Sequence, residues 1–233
     1  MKQKIKIWLV VLSSLILLCQ SAFGEQTVIS GKENLSIEKI LDQMEKRYEG
    51  PGFSAVFSQI SVIKAMEITD NASGKILIKR PGKMRWEYET PEKQLILTDG
   101  ITMWVYRHED KQVMIGRSPD YFGGGKGASF LSDMKLIRKE FDVQLEQSNE
   151  RETYKIKLVP KEVKYDISKI FLWVSKKTFD ILGVLSYNLY DDETRIEFSG
   201  YKFNIIPDDS QFDFIPPEGT EILQMEEKQE NSK

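Results

Sequence analysis

From Phe53 onward the apolar side chains recur every second residue rather than every third or fourth, and that period commits most of the chain to β-structure. Phe53, Ala55 and Phe57 alternate with Ser54, Val56 and Ser58, and Met84, Trp86 and Tyr88 with Arg85, Glu87 and Glu89. Similar runs occupy 62–69, 75–80, 94–98, 101–106, 111–115, 142–147, 153–159, 169–174, 181–190, 194–203 and 211–214. Asp70-Asn71 with Gly74, Pro81-Gly82 and Asp99-Gly100 supply turn chemistry between them, Asp99-Gly100 being the strongest hairpin signal. The pattern predicts about ten strands in a meander of hairpins, closing into a sandwich or barrel.

Two segments break the period. Ile37, Ile40, Leu41, Met44 and Tyr48 fall at helical spacing, with Glu38, Lys39, Asp42, Glu45 and Lys46 on the opposite face, and Gly50-Pro51-Gly52 ends the run. Phe130, Leu131, Met134 and Ile137 predict a second helix over 129–139, preceded by a glycine-rich loop at 116–127.

The N-terminus reads as an export address. Lys2, Lys4 and Lys6 precede an apolar stretch from Ile7 to Leu18, and Ala22-Phe23-Gly24 offers a small-x-small cleavage site. The stretch falls short of the ~20 residues needed to span a bilayer. Leu18 is too bulky for the residue before a lipidated cysteine, so Cys19 is expected to leave with the signal peptide. Residues 25–233 then form one cysteine-free domain with an ordered core at about 35–222.

Charge and chemistry exclude several classes. The first 24 residues hold three of the 33 basic side chains and none of the 36 acidic ones, leaving 30 − 36 = −6 for the remainder. Nucleic-acid binding, which rests on phosphate neutralisation, is not expected, nor is a basic patch suited to anionic membranes. The single histidine, His108, lies in the charged tip Arg107-His108-Glu109-Asp110 and has no triad around it. No G-x-S-x-G elbow or phosphate loop fits the glycine run, and no zinc or EF-hand spacing occurs. No cofactor and no enzymatic activity are expected.

Large apolar side chains stand on both faces of several strands: Met84-Trp86-Tyr88, Met103 with Val105 beside Trp104 with Tyr106, and Ile170-Leu172 beside Phe171-Trp173. Such strands need two coverings, either an ordinary thick core or an apolar hollow for a hydrophobic ligand.

The stretch GKILIKRPGKMRWEY at 74–88, Pro91 and LTDGITMWVY at 97–106 together resemble the central signature of the outer-membrane lipoprotein carrier protein (LolA) family. FSAVFSQ at 53–59 is similar to its first strand and FDFIPPEG at 212–219 to its closing motif. The resemblance implies a mainly β (α+β) fold: an antiparallel, incomplete β-barrel of about ten to eleven strands with a helical lid over an apolar cavity. It implies a periplasmic monomer that shields the acyl chains of lipoproteins received from an inner-membrane lipoprotein-releasing ABC complex and hands them to an outer-membrane acceptor. The family's lid-latching arginine matches Arg80, and the cavity-wall candidates are Ile76, Ile78, Met84, Trp86 and Trp104. The alternatives are a carrier of the same fold for other lipids or glycolipids, an acceptor lipoprotein, which the absent lipobox disfavours, and an exported hydrolase.

Overall fold

The computed structural model describes residues 35–118, 129–162 and 167–225. The signal-peptide stretch and most of the glycine-rich segment lie outside these residues.

Strands β1 (Gly52–Ile63), β2 (Ile68–Lys79), β3 (Lys83–Thr90), β4 (Gln94–Thr98), β5 (Thr102–Arg107) and β6 (Gln112–Arg117) form one antiparallel meander. A second consists of β7 (Phe141–Glu146), β8 (Thr153–Pro160), β9 (Ile167–Ser175), β10 (Ile181–Asn188) and β11 (Glu193–Phe203). Pairing of β1 with β11 joins the meanders, and a short β12 (Glu221–Gln224) lies parallel to β6. The resulting order is β12-β6-β5-β4-β3-β2-β1-β11-β10-β9-β8-β7, an open sheet rather than a closed barrel. Twelve strands replace the expected ten or eleven, and one pairing is parallel.

Helix α1 (Ile37–Arg47) begins where Ser36 accepts a hydrogen bond from the Lys39 amide, with Glu38 in its first turn and Lys46 and Arg47 in its last. The second expected helix is broken: a 3₁₀ turn at Ser129–Leu131 is followed by α2 (Lys135–Glu140). The break falls at Asp133, whose carboxylate accepts from the Lys135 amide and opens the new helix.

One expected turn and one expected strand are not found. The β1–β2 connection is the 3₁₀ turn Lys64–Met66, closed by Glu67 at φ 55°, so Asp70 and Asn71 belong to β2. Gly74 also belongs to β2; a Cβ there would lie 2.0 Å from the Glu87 carbonyl oxygen, so glycine permits close strand approach instead of a turn. The run 211–214 is not a strand: Asp209–Phe212 is a 3₁₀ turn.

Register fixes which residues share a face. Phe53↔Ile78↔Met84 and Ala55↔Ile76↔Trp86 lie on one face, continued across the seam by Phe203, Phe198, Ile196, Val184, Leu172 and Ile156. This inner face and the apolar stripes of α1 and the 129–140 segment make the main core. On the opposite, outer face Leu95, Leu97, Tyr106 and Val113 form a second core under Phe212, with Leu77, Trp104, Ile115 and Phe214 at its margin.

Candidate functional site: the covered inner face

Ile76, Ile78, Met84 and Trp86 come together on the inner face, all buried. The Trp86 indole meets the Phe57 ring edge-on at 5.0 Å between centroids. Trp104 does not join them. It pairs with Leu97 and Ile115 on the outer face, because β5 turns Met103 and Val105 inward and alternate residues must point oppositely.

Ile40, Leu41 and Met44 of α1 seat directly on this face, as do Phe130, Leu131, Met134 and Ile137. Beneath the helices the side chains are packed to 0–7% exposure. Farther along the strands the same face loosens. Gln59, Ile96, Ser186 and Thr194 are half-buried, as is Tyr88, whose hydroxyl donates to the Gln59 side-chain oxygen at 3.1 Å. Burial pushes the Tyr88 phenol up to about 12.

Arg80, at the end of β2, spans the covering elements. Its Nη1 donates to the Gly50 carbonyl at 2.9 Å and its Nη2 to the Leu131 carbonyl at 3.0 Å. Gly50 follows α1 and Leu131 precedes α2, so one guanidinium reaches both. Partial burial lowers its pKa, yet an arginine stays charged at any physiological pH. Beside it lies a polar crevice of about 470 Å³, lined among others by Asp42, Glu45, Glu49, Asp133 and Lys135.

The C-terminal end of α1 is fastened by contacts that sequence inspection did not single out. The Tyr48 hydroxyl accepts from the Ile181 amide at 3.0 Å, and its ring meets Phe53 and Phe203 edge-on, each at 5.2 Å. Arg47 pairs with Asp180 at 2.6 Å and stacks 3.7 Å from the Phe203 ring centroid. The Tyr201 hydroxyl donates to the Ile181 carbonyl at 2.6 Å. Burial raises both phenols, so these tyrosines are neutral hydrogen-bonding groups. Tyr48 carried a signal as the last member of the helical stripe; Asp180 and Tyr201, distant in sequence, carried none.

The arrangement holds no nucleophile–base pair among the groups named. It offers an extensive apolar face, a helical cover fastened at one end, and one arginine bridging two backbone carbonyls.

The family model described as "Outer membrane lipoprotein carrier protein LolA" matches residues 51–215. A protein of Nitrosomonas europaea named outer-membrane lipoprotein carrier protein is 32% identical over 171 residues, covering 73% of this chain and 82% of that relative. One of the same name from Azotobacter vinelandii is 31% identical over 175 residues, covering 73% and 81%. Among solved structures, an uncharacterized conserved protein from Thermus thermophilus shares the fold: TM-score 0.54, 14% identity, 82% of this chain and 100% of that one.

Proposed function

The chain belongs to the LolA family of outer-membrane lipoprotein carrier proteins, and on that footing we propose that it is a periplasmic carrier of acylated lipoproteins. Residues 1–24 direct export and are removed. The mature protein takes cargo released from an inner-membrane ABC complex, shields its acyl chains against the inner face, and delivers them to an outer-membrane acceptor. The observation that carries this reading is Arg80, which holds a helical cover over a buried apolar sheet face by two hydrogen bonds to backbone carbonyls.

The energetics suit reversible opening. A hydrogen bond from a charged donor contributes about 1.5–3 kcal/mol, whereas each acyl methylene removed from water contributes about 0.8 kcal/mol. Roughly two to four methylenes therefore balance one Arg80 bond. Ile40, Leu41 and Met44 already fill the closed face, so an incoming chain replaces apolar contacts rather than creating all of them. Both effects keep net affinity modest, and a carrier must let go.

Two measurements test the proposal together. Bis-ANS bound to the purified mature protein is displaced by an acylated lipoprotein and not by the same protein stripped of its acyl chains; equal behaviour of the two refutes acyl recognition. Arg80→Leu removes both bridging bonds and so disfavours the closed state. It leaves the fold intact, raises cargo affinity by roughly a hundredfold or more, and slows handover in proportion. Unchanged affinity and transfer take Arg80 out of the mechanism.

A further inference from the structure

Glu38, Asp42 and Glu45 stand at i, i+4 and i+7 on α1, a single acidic stripe. Like charges at this spacing work against a helix standing alone. Sequence periodicity places the stripe on the face away from the core. The structure gives part of that face to α2, where one residue answers all three acids. Arg138 donates through Nε to Glu45 at 2.6 Å, through Nη1 to the Glu38 carboxylate, and through Nη2 to the Asp42 carboxylate. Nη2 also reaches the Glu38 backbone carbonyl at 3.1 Å. A planar guanidinium can serve several acceptors at once in fixed geometry; a lysine ammonium cannot reproduce that fork.

Helix α2 needs this help. Its six residues fall far short of the length at which a helix sustains itself, its N-cap makes no side-chain bond, and Ile137 is its one buried residue. Arg80 does not secure the helix itself, since its contacts are to Gly50 and to Leu131, outside both helical spans. The two arginines thus act at different joints. Arg80 ties the helical cover to the end of β2, and Arg138 ties the two helices to each other.

We infer that Arg138 is a positioning residue that couples α1 to α2, so that the two helices open together rather than one at a time, although α2 is also held to the end of β8 by Lys161, whose amide donates to the Glu140 carbonyl at 2.9 Å and whose Nζ donates to the Arg138 carbonyl at 2.8 Å. The use of that motion in cargo transfer rests on the carrier reading; the coupling is a property of the empty protein and is measured there. Because Glu38 and Asp42 are exposed, the clasp weakens as salt screens it.

Hydrogen exchange followed by mass spectrometry on the cargo-free mature protein tests the coupling. In the wild type, amides of α1 and α2 exchange with a common opening rate. In Arg138→Gln the α2 peptides exchange at least about tenfold faster than those of α1, while β8 to β11 keep their protection. Glu45→Gln, a milder change, shifts the ratio the same way by less, and about 1 M NaCl does so in the wild type. A common rate that survives Arg138→Gln overturns the inference. So does a parallel loss of protection in the sheet, which would make Arg138 a general stabilising group. Failure of bis-ANS displacement by acylated cargo, with the coupling intact, would count against the carrier reading and leave the joint opening of the helices standing.

Discussion

On β3 to β5 and on β8 to β10 alike, bulky apolar side chains occupy both faces of the sheet, and the inner faces of both regions share one core under the helices. Their outer faces are treated differently. Across β4 to β6 the outer residues Leu95, Leu97, Tyr106 and Val113 are buried beneath Phe212, brought by the chain that follows β11. Across β8 to β11 the outer Phe171, Trp173 and Tyr187 stay half-exposed and are dressed with long cationic side chains. Lys155 lies 4.7 Å from the Phe171 ring and 5.6 Å from Trp173, Lys169 lies 4.6 Å from Tyr187, and Arg195 lies 5.4 Å from Trp173. Glu150 accepts from the Trp173 indole N–H at 3.2 Å. The same two-faced pattern is therefore satisfied once by a second core and once by amphipathic stems and cation–π contacts worth about 0.5–1 kcal/mol each. A strand's own residues state that both faces are apolar; what covers them is decided elsewhere in the chain.

Three experiments press on that contrast. Phe212→Ala empties the centre of the second core, and the expected loss is about 3–5 kcal/mol in a urea unfolding titration. A loss below about 1 kcal/mol would mean the outer cluster is mere surface. The same chemical change in the other region, Phe171→Ala, removes a half-exposed ring and its contact with Lys155, so about 1 kcal/mol is expected. Equal losses at the two positions would erase the difference between the two outer faces.

The smallest effect concerns the strap that carries Phe212. Asp209 pairs with Lys79 at 2.9 Å and Lys83 at 2.6 Å, and these two ammonium groups hold its carboxyl at about 2 against an ordinary 3.8. A carboxylate whose native pKa is depressed adds stability above the unfolded value and loses it as the pH falls through the native one. The wild type should thus lose slightly more stability than Asp209→Asn between about pH 4 and about pH 2. Parallel pH profiles for the two proteins would show that the exposed pairs contribute nothing.

Much of this architecture is legible in the residues themselves. Period-two alternation identifies the strands of both meanders, the Ile37–Tyr48 stripe marks α1, and Asp99-Gly100 forms its hairpin, with Gly100 at φ 99° and the Asp99 carboxylate accepting from the Ile101 and Thr102 amides. What escapes inspection has identifiable causes. β12 is four exposed residues without alternation; it pairs through backbone, the Glu221 amide donating to the Lys111 carbonyl at 2.8 Å. The β1–β2 turn uses Glu67 at positive φ where glycine or asparagine would have announced it. At the candidate site, motif resemblance singles out Arg80, but its partners are two carbonyls, which every residue possesses. Trp104 requires parity: a single-residue offset separates the inner face from the outer, and sequence alone sets no origin for that count. The acidic stripe of α1 looks solvated because its counterpart, Arg138, lies about a hundred residues downstream.

The dependence of the outer core on Phe212, together with the pairing of β12 to β6, has a consequence for biogenesis. Synthesis delivers β1 to β6 early, yet the outer surface of that half cannot be sealed until the segment from Phe212 to Gln224 has emerged. The half of the molecule made first is finished last, because Leu95, Leu97 and Tyr106 lack their Phe212 cover until then. Truncations near the C-terminus should therefore harm the N-terminal meander, the part of the protein most distant from the lesion in sequence.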